Sequence, residues 1–157
     1  MDISELAEVI KQHQRFLSGK SGGKRAILRD VDLSGLRLPA IDLSDSVLTG
    51  SDFSNCVLEG VTFNSADLFG TCFEKANLTN SSFMRADLRG ARFKGATMTG
   101  VDLTDADLRP GALVSTQNAP VDLSDTNLDN SKFDQAKMDN AKVRNASLKN
   151  ASMRGMQ

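Results

Sequence analysis

Apolar residues return every five positions along most of this chain. A large one stands at each position ending in 3 or 8, from Leu28 to Met153. Between those limits lie 26 units, and 25 of them have an apolar centre; Asn118 is the exception. Two positions before each centre (i−2) the side chain is small, with eleven Ala and mostly Ser, Thr, Val, Cys or Gly in the other slots. Positions i−2 and i therefore point inward, and i−1, i+1 and i+2 point out. A helix cannot do this, because its inward period is about 3.6. A flat strand cannot either, since strict alternation would send successive units to opposite faces. A chain that turns a corner every five residues can. Eight of the twelve glycines sit at i+2, where a tight turn needs unusual dihedrals.

A slower rhythm lies above the fast one. The six Phe centres, Phe53, Phe63, Phe73, Phe83, Phe93 and Phe133, fall on alternate units. Leu28, Leu48, Leu68, Leu88, Leu108, Leu128 and Leu148 form a column at a spacing of 20. These spacings favour an all-β solenoid with four sides and about 6.5 coils. At a coil spacing of ~4.8 Å it would be a rod on the order of 30 Å long. Its core is expected to include Leu28, Leu48, Phe53, Leu68, Phe73, Leu88, Phe93, Leu108 and Phe133.

Residues 1–25 differ. Leu6, Val9, Ile10, His13, Phe16 and Leu17 share one helical face over 2–17. Asp2 and Glu5 have capping-box spacing, and Gly19 with Gly22-Gly23 ends the element. The apolar stripe needs a seat, so residues 1–25 are expected to form a capping helix and a Gly-rich link to the repeat of 26–157. Val31, Leu36 and Ile41 widen the first units enough to offer that seat. The lone His13 reads as a packed cap residue rather than a ligand.

The units Ala66-Asp67-Leu68, Ala76-Asn77-Leu78, Ala86-Asp87-Leu88 and Ala106-Asp107-Leu108 resemble the A-(D/N)-L-x-x motif of the pentapeptide repeat family. The resemblance covers residues 26–155 and implies a right-handed quadrilateral β-helix. Phe16-Leu17, Gly22-Gly23 and Arg25-Ala26 are similar to leaders seen before bacterial pentapeptide arrays. One stretch departs from the pattern. Residues 109–120 hold Pro110, Pro120 and the polar centre Asn118, yet the five-residue phase is intact afterwards. Either two sides of a coil are irregular or they bulge out as a loop; a local bulge is expected.

Composition excludes more than it assigns. A net charge of −1 gives no general pull toward nucleic acid or an anionic membrane. No apolar run approaches the ~20 residues that span a bilayer, and the first residues carry no secretory pattern. Cys56 (i−2) is expected in the core and Cys72 (i−1) outside; neither has a disulfide framework or metal spacing, and a cytoplasmic setting follows. No catalytic constellation, cofactor loop or metal set is visible, so an enzyme is not expected. Charge is uneven. If every coil has 20 residues, Asp102, Asp105, Asp122 and Asp125 form one acidic patch, a candidate surface for a basic partner. Residues 131–157 are basic, and Leu148, Ala151 and Met153 mark an apolar end that invites end-to-end pairing of two copies. The expected function is a non-enzymatic scaffold presenting a rigid surface to a protein partner. The alternative, implied by the resemblance, is a DNA mimic that binds DNA gyrase. Such relatives are strongly acidic dimers joined through a C-terminal helix, and neither mark is present here.

Overall fold

A computed structural model describes residues 1–111 and 118–157. From Ala26 onward the chain winds as a four-sided coil. The i−1 residue of each side bridges in parallel to the same side of the next coil, as in Ile27↔Val47, Val47↔Asp67 and Asp67↔Asp87. The bonding unit repeats on every side. The Leu48 N–H donates to the Asp67 carbonyl at 2.8 Å, and the Asp67 N–H donates back to the Ser46 carbonyl at 2.9 Å. At the corner, the Ser51 N–H closes a turn on the Leu48 carbonyl at 3.1 Å. A corner every five residues leaves one bridge residue per side, so the sheets consist of single rungs rather than long strands.

The corners explain the composition at i+2. Every i+2 residue from Asp30 to Asp105 and from Asp125 to Gly155 has a positive φ, among them Gly50 at 71°, Asn80 at 58° and Lys75 at 58°. This is the dihedral that the third residue of a type II turn requires. Gly and Asn adopt it most readily, which is why they dominate the slot.

Inside, the centres stack in columns. Leu28, Leu48, Phe53, Leu68, Phe73, Leu88, Phe93, Leu108 and Phe133 are all buried. Phe73 lies between Phe53 and Phe93, with ring centroids 5.4 and 5.1 Å away and nearly parallel. Phe63 and Phe83 arrive from the opposite side and meet it edge-on. Hydroxyls in the small slots turn back onto the backbone: Ser51 Oγ donates to the Leu28 carbonyl and Thr71 Oγ1 to that of Leu48. Among the described residues no buried side-chain N or O lacks a partner.

The coil is interrupted within the stretch 109–120. Before it, bridges join residues 20 apart; across it they join residues 30 apart, as in Arg92↔Asp122, Asp102↔Lys132 and Asp107↔Lys137. Ten residues, 110–119, are thus excluded, and Gly111 and Ala119 close the base of the excursion with two antiparallel hydrogen bonds of 2.9 Å. Residues 112–117 lie outside the described residues, which show the base of the excursion. Its cause is visible in the sequence. Pro110 and Pro120 occupy i+2 slots, and a proline locked near −65° cannot take the left-handed corner. Asn118 is exposed, so its amide needs no buried partner. Leu113, nominally a centre, lies outside the described residues.

Two expectations change. Residues 26–155 without 110–119 make six coils of 20, not about 6.5. Ten residues are also half a coil, so every later unit moves to the opposite side. The Leu column therefore stops at Leu108, which is followed by Met138, while Leu128 stacks on Met98.

The N-terminal segment forms α1 (Ile3–Leu17) with a complete capping box between Asp2 and Glu5. Leu6, Val9 and Ile10 pack on the first coil beside Val31, Leu36 and Ile41. Gly23 passes against the helix end, where a Cβ would fall 2.6 Å from the Arg15 carbonyl carbon.

Deleting 110–119 together with Pro120→Gly should rejoin the coil through one left-handed corner. The expected protein has an unchanged circular dichroism spectrum and a single cooperative melt. Loss of cooperativity would show that the excursion is needed to hold the two halves in register.

Candidate interaction surfaces

The outward rows of the coil do more structural duty than a polar surface suggests. An Asp or Asn at i−1 accepts the backbone N–H of residue i+1 on its own corner. Asp42 does so from Ser44 at 2.9 Å, Asp102 from Thr104 at 2.9 Å and Asp122 from Ser124 at 2.9 Å. These carboxylates cap turns. A second pattern ties one coil to the next: Asn77 Nδ2 donates to Glu59, Ser82 Oγ to Asn64 and Ser152 Oγ to Asp134.

The acidic patch expected from the sequence is not assembled. Asp102 bridges Ser82 below and Lys132 above, on the side that carries Asp42. Asp122 bridges Arg92 and Lys142 on the opposite side. Asp105 and Asp125 occupy the left-handed corners that follow each, with φ of 59° and 57°, so they too are on opposite sides. The half-coil shift separates the two pairs. It also places Asp102 and Asp107 directly beneath Lys132 and Lys137, while Asp122 meets Lys142 at the ordinary spacing of 20.

A different acidic ladder does form. Asp67, Asp87 and Asp107 stack as consecutive rungs of one side. Arg89 holds Asp87 at 2.7 Å and Arg109 holds Asp107 at 2.7 Å, each also donating through Nε at 2.9 Å. The Arg89 guanidinium also lies 5.1 Å over the Phe69 ring. The hydrogen bond from Arg109 holds the Asp107 carboxyl below the ordinary aspartate range, and both arginines add to this through their charge. Asp122 is lowered as well: burial opposes its ionisation, but bonds from Ser124 and the charges of Lys142 and Lys94 outweigh it. The signal for this ladder was in the sequence, as Asp at i−1 followed by Arg at i+1 in two units 20 apart.

The C-terminal end of the coil is apolar and open. A hollow of about 240 Å³ is lined by Leu128, Phe133, Met138, Ala141, Leu148 and Met153, with Val143 and Met156 at its edge. Val143, Met153 and Met156 are 44%, 40% and 40% exposed. Leu148 and Ala151 are half-buried. Of the three residues expected at this end, Leu148 and Met153 line the hollow together. Around it stand the exposed Lys137, Lys142, Arg144, Lys149 and Arg154. The Met138 N–H already donates to the Gln157 carbonyl at 2.7 Å, so this edge accepts a further rung.

The remaining reactive groups are placed as follows. Cys56 is buried, its Sγ directed at the Leu33 carbonyl, and burial pushes its thiol pKa up. Cys72 was expected outside, yet it is only 6% exposed; its short side chain sits between the longer Asp52 and Arg92 rungs. Both are free thiols. His13 is buried between α1 and the first coil. Among the described residues no group of three His, Cys, Asp or Glu could hold a metal ion. No helix among them is long and apolar enough to cross a membrane.

The pentapeptide repeats model matches in eight copies, across residues 26–64, 41–80, 63–100, 71–109 and 121–155. The gap between the last two matches coincides with the excursion. No curated protein matches the chain. Among solved structures, it is similar to the pentapeptide repeat protein Rfr23 from the cyanobacterium Cyanothece 51142. That likeness has a TM-score of 0.61 at 18% identity, over 81% of this chain and 90% of that one, and it is a likeness of fold. Full-length QnrB1, a plasmid-mediated fluoroquinolone resistance protein, gives a TM-score of 0.47 at 13% identity over 85% and 91%. HetL, a pentapeptide repeat protein involved in heterocyst differentiation regulation in the cyanobacterium Nostoc sp. strain PCC 7120, gives 0.28 at 20% identity over 100% and 94%.

The depressed carboxylates have a consequence in acid. The folded values of Asp107, Asp122, Asp129 and Asp134 lie below the unfolded value of 3.8. Their contribution is therefore complete above that value and lost as the pH falls through the folded values. The melting midpoint should decline in this acid range, and less steeply in Asp107→Asn. An identical acid limb in the variant would mean that the Arg109 pair contributes nothing.

Proposed function

Because this chain belongs to the pentapeptide repeat family, we propose that it is a non-enzymatic interaction module. In this reading it is a right-handed quadrilateral β-helix that presents a rigid surface to a protein partner. The setting is cytoplasmic, in keeping with two free thiols. One observation carries the reading: the open apolar end with Val143, Met153 and Met156 exposed above a ready backbone edge. An edge of unpaired rungs selects a partner with the same rung spacing. A second copy has it. Two such ends meeting about a two-fold axis would cover both hollows.

The basic rim gives this pairing a signature. Lys137, Lys142, Arg144, Lys149 and Arg154 of the two copies repel, while burial of the hollows attracts. Salt screens the first effect over a Debye length of ~10 Å at 0.1 M and leaves the second. Association at micromolar concentration should thus strengthen as salt is raised, and Met153→Asp should abolish it. A monomer at every salt concentration in sedimentation experiments would sink the pairing. Association with an acidic protein that weakens with salt would replace the second copy with that partner.

The alternative is a DNA mimic acting on DNA gyrase. Duplex DNA presents about one negative charge per 1.7 Å of axis. Here the Asp87 and Asp107 carboxylates are already occupied by Arg89 and Arg109, and Lys132 and Lys142 follow Asp102 and Asp122 as rungs. Gyrase supercoiling should be unaffected by a stoichiometric excess of this protein, with or without a quinolone. Inhibition or protection would favour the mimic instead.

A further inference from the structure

The joint between α1 and the coil is made through the chain's single histidine. His13 is fully buried, at 0% exposure. Its Nε2 lies 2.9 Å from the Ser44 carbonyl, and its Nδ1 lies 3.0 Å from the Ala26 amide nitrogen. The partners dictate the proton. A carbonyl can only accept, so Nε2 carries the hydrogen; a backbone amide can only donate, so Nδ1 must be bare. Helix, link and first coil are thus joined through one neutral ring. Phe16 stacks on it at 5.7 Å, Arg25 of the link covers Phe16 at 5.3 Å, and Gln14 Nε2 donates to the Asp42 carbonyl at 2.9 Å.

We propose that His13 is a proton-operated latch. Protonation of Nδ1 would turn the acceptor for the Ala26 amide into a second donor facing it, and so release α1 from the first coil. The repulsion starts on the Ala26 side, next to the Gly-rich link, and as it drives the ring from its slot the bond from Nε2 to the Ser44 carbonyl is given up with it. There the link turns through Gly19 and Gly22, at φ of 67° and 76°, and the Lys24 N–H donates to the Gln12 carbonyl at 3.0 Å. Release would uncover the apolar seat of Leu28, Leu33, Val31, Leu36 and Ile41 that now receives Leu6, Val9 and Ile10. The charged groups facing the ring are Arg25 on the link and Asp42 and Asp45 on the coil. Burial is the largest influence on the ring and lowers its pKa. The Ser44 bond and the two aspartates oppose it, and Arg25 acts with it.

The sign follows from that direction. A closed cap whose histidine titrates below 6.5 is stabilised fully above 6.5, and this stabilisation is lost as the pH falls through the closed-state value. The His13→Gln variant, which keeps the carboxylates of the coil, separates this transition from acid unfolding of the coil.

One histidine makes the test unambiguous by NMR. Its imidazole resonance should titrate below 6.5. The amide shifts of α1 should move with the same midpoint, with at least a tenfold loss of exchange protection at Ala26, while rungs such as Asp67 and Asp87 keep theirs. In His13→Gln, which cannot gain a proton, the α1 transition should vanish from this window. A wild-type imidazole titrating at or above 6.5, or titrating with no change in α1, would overturn the latch. So would an α1 transition that persists at the same midpoint in His13→Gln. If that variant fails to seat its helix, the wild-type titration still decides between these outcomes.

Discussion

Each coil of this protein is bonded chiefly to the coil below and the coil above. The donor–acceptor exchange seen at Leu48, Asp67 and Ser46 repeats on all four sides, and it sets where every side chain goes. It also requires that each coil contain the same number of residues. A corner that cannot be made cannot be absorbed locally, because the next coil would lose its register on every side. The chain therefore expels whole units. Ten residues leave together between Arg109 and Pro120, and the coil resumes two sides further round.

This constraint explains what was legible in the sequence. Inside and outside depend only on the five-residue phase, which the excursion preserves. The burial of Phe53, Phe73, Phe93 and Phe133, the small slot of Cys56 and the cap helix with its Asp2–Glu5 box were all readable from spacing. Which side a residue occupies depends on the 20-residue phase, and that phase changes at the excursion. Placing Asp122 beside Asp102 assumed an uninterrupted count. The correction was available, because Pro110 and Pro120 stand in slots where each described residue elsewhere in the coil is left-handed. A proline in such a slot predicts departure from the coil, and two of them ten residues apart predict half a coil lost.

The outer rows were harder to read for a different reason. An aspartate at i−1 points outward in the pattern, and outward suggests availability. In the fold its oxygen serves the corner two residues on, as in Asp102 with Thr104 and Asp122 with Ser124. Such bonding is local and follows from the preference of Asp and Asn for capping turns. Charge pairing between coils is not local. Arg109 with Asp107 and the rung order Asp107, Lys137 become visible only when the register is known.

These features together favour the ends of the rod as the place of the proposed recognition. Along the sides, the rungs are saturated by backbone bonds, the Asx corners by their own amides, and Asp87 and Asp107 of the acidic ladder by arginine. A partner there must compete with bonds already made, and exposed ion pairs contribute little to that competition. At the ends the coil meets a surface it did not itself complete. One end is covered by α1, held through a ring whose proton count decides the fit. The other carries an apolar hollow and an edge of rungs. In a solenoid whose interior is one repeated column, the first and last coils are where that column meets its surroundings. The side chains there, His13 at one end and Met153 at the other, are those whose chemistry the repeat does not dictate.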